Sequence, residues 1–197
     1  GVRALLDDAP VLEDGNAVSC DQTSHAQTPV GASTLLVTTL RPGSGLAATD
    51  NEAAATMLSE RWERALPPDL ASYAWASVAR QTAIKLQPEA ADQFLRAGRV
   101  PGKSGREIDL SDDTLAWKAR AALRADNGRA RWQQVVQAIN AMTPTEQKDA
   151  AWIYWKARGL QALAKDSQDG ESLLASSREL LAGIATQMSF YGALAAE

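Results

Sequence analysis

The chain is short of the residues on which most enzyme chemistry relies. One cysteine, Cys20, and one histidine, His25, occur in 197 residues. That excludes an internal disulfide, a cysteine-built zinc site and a histidine-rich metal cage, so neither a metal nor a cofactor is expected. A Ser-His-Asp triad would have only His25 as its base, and no partner pattern surrounds that residue. A solvated loop position accounts for it, and Cys20, with no adjacent cation to activate its thiol, reads as inert. No run of roughly 18 apolar residues is present, so no membrane span is expected. Excess positive charge is missing as well. With 20 Lys+Arg against 24 Asp+Glu the net charge is −4, and the pI lies near 5.1. Such a chain lacks the electrostatic footprint of a nucleic-acid or anionic-membrane binder. Only two phenylalanines stand against 38 alanines, a balance that favours closely packed helices over a β-rich fold. The chain opens at Gly1 without a basic-then-apolar leader; this says nothing about compartment.

What is present divides at about residue 50. Residues 1–49 are punctuated by Asp7-Asp8, Pro10, Asp14-Gly15-Asn16, Pro29, Gly31 and Arg41-Pro42-Gly43-Ser44-Gly45, too densely for long helices. An irregular N-terminal segment with one or two short helices is expected there; Thr34–Leu40 is its one patch of strand character, which a buried helical turn would explain nearly as well. From Asp50 the pattern is helical. Asp50-Asn51-Glu52 caps a helix carrying Met57, Leu58, Trp62 and Leu66, which Pro67-Pro68 stops. Leu70, Tyr73, Ala74, Ser77, Val78 and Ile84 predict the buried face of a second helix, and a third runs from Pro88 to Gly98. After a loop over 98–110, Ser111-Asp112-Asp113 opens a fourth. Trp132, Val135, Val136 and Ile139 mark a fifth. Thr143-Pro144-Thr145-Glu146 reads as a capping box opening a sixth, and Leu173, Leu174, Ser177, Leu180, Leu181 and Ile184 a seventh.

Trp117-Lys118-Ala119-Arg120 recurs as Trp155-Lys156-Ala157-Arg158, 38 residues on, each time in the first helix of a helix–loop–helix pair. Ala74-Trp75-Ala76 is a weaker echo, 42 residues before Ala116-Trp117-Lys118. That periodicity predicts an all-α fold: an α-solenoid, or superhelix, of stacked helical hairpins over residues 50–197.

Four pieces of this region carry a resemblance: Ser59-Glu60-Arg61-Trp62-Glu63-Arg64-Ala65-Leu66-Pro67, Leu115-Ala116-Trp117-Lys118-Ala119-Arg120-Ala121-Ala122-Leu123-Arg124, Ala151-Trp152-Ile153-Tyr154-Trp155-Lys156-Ala157-Arg158, and Ser189-Phe190-Tyr191-Gly192-Ala193-Leu194-Ala195-Ala196-Glu197. Together they resemble the U-shaped superhelical region of soluble lytic murein transglycosylases, over roughly residues 50–197. The resemblance implies a periplasmic parent enzyme that cleaves the β-1,4 bond between N-acetylmuramic acid and N-acetylglucosamine, leaving a 1,6-anhydro end. It also implies a C-terminal lysozyme-like catalytic domain bearing a catalytic glutamate. No Gly-Leu-Met-Gln-type segment of such a domain occurs in this sequence. The expectation is therefore a non-catalytic arm with no catalytic residue of its own, whose partners are peptidoglycan glycan strands and that catalytic domain. A tetratricopeptide-like protein-binding scaffold is the alternative, although its 34-residue period fits a 38-residue spacing poorly.

Glu171-Ser172 is a Glu-Ser pair, the setting that the resemblance implies for the catalytic glutamate of the lysozyme-like domain, and a glutamate shielded from water can protonate a glycosidic oxygen. Glu171, however, follows the polar loop Lys165–Gly170 in the first turn of a helix, where a carboxylate complements the dipole. Asp112 and Asp113, adjacent on a helix, do not converge on one substrate and read as capping residues. Arg120 and Arg158, at matching sites of the repeat, could hold carboxylates of peptide stems, but salt bridging between repeats is the stronger reading. Of the six tryptophans, Trp62, Trp132 and Trp155 fall on apolar stripes and are expected in hairpin cores. Any exposed sugar-stacking platform is therefore expected among Trp75, Trp152 and Tyr154.

Overall fold

The computed structural model describes residues 50–99 and 108–197. The N-terminal segment, with Asp7-Asp8, Cys20 and His25, lies outside the described residues, as does most of the 98–110 loop. Every regular element among the described residues is helical, so the fold is all-α.

Helix α1 opens at Asn51–Met57, where the Asp50 carboxylate accepts the Ala53 N–H. It widens into π-helical Leu58–Trp62, returns for one turn over Glu63–Ala65, and ends as Leu66 becomes extended ahead of the prolines. Helix α2, Pro68–Ile84, has proline in its first turn, where the missing N–H costs nothing. Ala90–Arg99 is α3 and Asp112–Leu123 is α4, the latter capped by the Ser111 hydroxyl. A short α5, Ala125–Gly128, precedes α6, Trp132–Ala141. Then come α7, Ala150–Ala164, α8, Gly170–Ile184, and the brief α9, Phe190–Ala195.

Packing follows chain order. Helices α2 and α3, α4 and α6, and α7 and α8 form hairpins; α1 lies on α2, and successive hairpins touch through α2 with α4 and α6 with α7. The core divides accordingly. Leu58, Trp62, Leu66, Trp75 and Val78 form one cluster. A second gathers Ala79, Ala83, Ala90, Ala91, Phe94, Ala121 and Ala125 between the first two hairpins. A third holds Leu115, Ala119, Val135, Ile139, Met142 and Trp152. Fully covered side chains such as Leu58, Phe94 and Ile139 each contribute about 1.5–3 kcal/mol through burial.

The repeated tetrapeptide has a packing explanation. Trp75 sits in the cluster that α1 supplies, Trp117 packs on the cluster containing Phe94 of α3, and Trp155 on the one built by α4 and α6. Each tryptophan faces the unit before it. The alanine two positions on faces its own hairpin: Ala119 joins Val135 and Ile139 of α6, and the carbonyl of Ala157 accepts the buried Ser177 hydroxyl of α8 at 3.0 Å.

Several local expectations needed correction. The covered face of α2 is built from Ala71, Ser72, Ala74, Trp75, Ala76, Val78, Ala79, Thr82 and Ala83, whereas Ile84 is exposed. Helix α2 is contacted by α1, α3 and α4 at once, and such crowding selects small residues on nearly every side. The box at Thr143–Glu146 does not open α7. It forms a turn and the 3-10 segment Glu146–Lys148, and Asp149 caps the long helix through the Ala151 N–H. The reciprocal half of the box is displaced because Asp112, across the hairpin, takes both the Thr143 N–H at 2.8 Å and its hydroxyl at 2.7 Å. Glu146 is thereby left for Trp152.

Helix α2 ends with the Gln87 N–H reaching back to the Thr82 carbonyl and the Leu86 N–H to Ala83. This is a Schellman closure in which Leu86, at φ 60°, holds the left-handed position usually given to glycine. The buried Asn51 amide fixes the start of α1 to this corner, donating to Thr82 Oγ1 and Gln87 Oε1 while accepting from Lys85 Nζ. Arg131 performs the equivalent role beneath α5. Its guanidinium makes a bidentate pair with Asp126 at 2.9 and 2.7 Å and reaches Asp92 at 2.7 Å. The hydrogen bonds from Arg131 hold the Asp126 carboxyl below its ordinary value.

Candidate functional site

A concave feature with chemically varied walls lies where α4, the 3-10 turn, α7 and α9 meet. It is a cleft of about 250 Å³ lined by Arg120, Leu123, Glu146, Asp149, Ala151, Trp152, Trp155 and Tyr191. Each wall has a local cause. The displaced capping box turns Glu146 inward, where its carboxylate accepts the Trp152 indole N–H at 2.9 Å. Capping of α7 holds Asp149 at the rim. The Ser189 hydroxyl caps α9 by accepting the Gly192 N–H at 3.0 Å, which sets Tyr191 in the first turn. A Cβ on Gly192 would lie 2.2 Å from the Gln187 carbonyl oxygen, so only glycine lets α9 come this close.

Arg120 is the cation of the cleft. Its guanidinium carbon lies 5.1 Å from the Trp117 ring and 5.2 Å from the Trp152 ring, an arrangement that orients a planar cation without consuming its N–H donors. It forms no ion pair among the described residues, so the expected salt bridging between repeats is replaced here by indole stacking. Beside the cleft the aromatic rings run on as a continuous patch. Tyr154 meets Trp155 edge-on at 5.3 Å and Tyr191 at 5.5 Å, and Tyr191 meets Phe190 at 5.3 Å. Phe190 is 71% and Met188 fully exposed, whereas Tyr154, Trp155 and Tyr191 are half-buried.

The three residues singled out for an exposed platform fare differently. Trp75 is 2% exposed, inside the first core cluster and covered by Arg96 at 4.4 Å, so it offers no stacking face. Trp152 is 5% exposed; it lines the cleft, but most of its ring belongs to the core and to the Arg120 stack. Tyr154 alone stays half-open and joins the aromatic patch. Trp155 and Tyr191 are the half-open rings that line the cleft. The apolar stripe predicts a core position for Trp155; it packs on the core and also lines the cleft. The signal for Tyr191 was present in the Phe190-Tyr191-Gly192 motif, but its spatial partner 37 residues earlier was not legible.

Glu171 is exposed in the first turn of α8, with no apolar enclosure to suit it to acid catalysis. Asp112 is occupied by Thr143, and Asp113 pairs with Arg80. No group of three or more metal-ligating side chains occurs among the described residues, and no helix there is long and apolar enough to cross a membrane.

The fold and site together define an all-α helical-hairpin protein with an aromatic–arginine cleft. No protein-family model, curated protein or solved structure matches the chain.

Proposed function

We propose that this chain is the non-catalytic superhelical arm of a soluble, periplasmic lytic murein transglycosylase, and that it positions peptidoglycan glycan strands for a lysozyme-like catalytic domain. One observation carries the reading. The two segments with the most specific resemblance, around Trp152–Trp155 and Phe190–Gly192, converge in space, with Tyr154 and Tyr191 5.5 Å apart beside the cleft. Conjoined half-open rings flanked by carboxylates and a guanidinium suit a pyranose, whose apolar face stacks on aromatics while its hydroxyls bond to charged groups. A tetratricopeptide-like scaffold would give no reason for this site to be both aromatic and doubly acidic.

The test is co-sedimentation with purified murein sacculi. Wild-type chain pellets with the sacculi. Tyr191→Ala and Tyr154→Ala remove accessible stacking surface and pellet less, with the helical circular-dichroism spectrum unchanged. Equal pelleting of both variants would remove the cleft from the account, and a wild-type chain that stays in the supernatant would remove the glycan reading itself.

A further inference from the structure

Within that glycan reading, on which this inference rests, we infer that Arg120 makes the cleft selective for a sugar bearing a free carboxylate over a neutral one. The charged groups around the cleft are not equivalent in what they still lack. Glu146 already accepts the Trp152 indole N–H, and Asp149 already accepts the Ala151 N–H. Each retains acceptor capacity, which suits hydroxyl or amide donors from a ligand. Arg120 is held between Trp117 and Trp152 and gives none of its N–H donors to a carboxylate among the described residues. Its planar fork is matched to a carboxylate in bidentate geometry, and the flanking indoles have already restricted its rotamers. The ligand that satisfies all of these groups has a ring face for Trp155 and Tyr191, donors for Glu146 and Asp149, and one anionic acceptor for Arg120.

In a murein strand the lactyl ether of N-acetylmuramic acid supplies that anion only where the stem peptide has been removed, because an attached peptide converts the carboxylate to an amide. Stem peptides carry carboxylates of their own, but these lie many bonds beyond the sugar; beside a ring stacked on Trp155 and Tyr191 the anion within reach of Arg120 is the lactyl carboxylate, so the cleft would read peptide-free stretches of glycan. This is a selectivity of the arm, separate from where a catalytic domain cuts.

The experiment titrates the chain with two disaccharides, N-acetylglucosaminyl-N-acetylmuramic acid with its free lactyl carboxylate and neutral di-N-acetylchitobiose. Binding is followed by the indole N–H resonances of Trp152 and Trp155 at neutral pH and low salt. The acidic disaccharide is expected to bind about tenfold more tightly than the neutral one. Arg120→Gln should abolish the preference, so that the two disaccharides bind it equally, and Arg120→Lys should retain only part of the preference. A thermal melt of each variant checks that loss of the indole stack has not unfolded α4, and the Lys variant keeps the test open if the Gln variant fails to fold. Equal affinity of the wild type for both sugars, or a preference that survives Arg120→Gln, overturns the inference while leaving the glycan reading standing. If neither sugar moves either resonance, both fall together.

Discussion

Replacing Leu86 by glycine should stabilise the protein, against the usual effect of glycine next to a helix. Leu86 closes α2 at φ 60°, a region where the Cβ of an L-residue crowds the following carbonyl at a cost of roughly 1–2 kcal/mol. Glycine removes that cost but gives about 0.5–1 kcal/mol of conformational entropy to the unfolded chain. Little burial is surrendered, since the leucine is 63% exposed. The net expectation is a gain of about 0.5–1 kcal/mol, or about 1–4 °C in Tm for a chain of this size. Leu86→Ala is the control, because it discards the same side chain but keeps the Cβ. Within a helix, alanine exceeds glycine by about 1 kcal/mol; at this position the order must invert. Thermal and urea unfolding followed by far-UV circular dichroism measure it directly. A Leu86→Gly variant that melts at or below Leu86→Ala would refute the left-handed closure, and with it the corner on which Asn51 and Gln87 converge.

Gly159→Ala should destabilise despite the better helix propensity of alanine. The new Cβ would lie 2.7 Å from Val136 Cγ2 and 3.6 Å from the Trp132 ring, so overpacking outweighs the gain by about 1 kcal/mol, a fall of about 2–4 °C in Tm. Val136→Ala in the same chain removes the obstructing methyl, and the two changes should be non-additive in a double-mutant melt. The Asp126 carboxyl should titrate below the ordinary 3.8 by carbon-detected NMR because Arg131 hydrogen-bonds to it. Its contribution to stability is then present above the unfolded value and is lost as pH falls through the depressed midpoint. Arg131→Ala should return that midpoint toward the ordinary value; a midpoint at 3.8 in the wild type would show that the pair does not hold in solution.

The helical class and most element positions were legible because their causes are local. Pro67-Pro68 stops a helix by removing N–H donors, Ser111 and Asp50 supply oxygen caps, and the Trp132–Ile139 stripe recurs at helical spacing. What escaped the sequence depended on partners distant in the chain. The Thr143–Glu146 box is locally sound, yet Asp112, 31 residues earlier, takes the Thr143 donors and redirects Glu146 toward Trp152. The covered face of α2 is hidden from the sequence because alanine carries almost no periodic signal, and crowding by three neighbours is a tertiary fact. The sequence leaves the register of Trp75 open and so points to an accessible ring, whereas α1 and Arg96 close over it. At the candidate site, Tyr154 and Trp152 could be nominated from sequence, but the joining of Trp155 and Tyr191 into one patch required the turn that brings α9 back onto α7.

The most direct test of the proposed non-catalytic glycan arm is one incubation of this chain with purified murein sacculi, read twice: protein in the pellet and, by mass spectrometry, soluble sugar products. The account predicts chain retained on the sacculi, less so for Tyr191→Ala, with no anhydro-muropeptides above a buffer control. Anhydro products abolished by Glu171→Gln would contradict it by making the exposed carboxylate of α8 catalytic, and a chain found only in the supernatant would contradict it by leaving the aromatic cleft without its ligand.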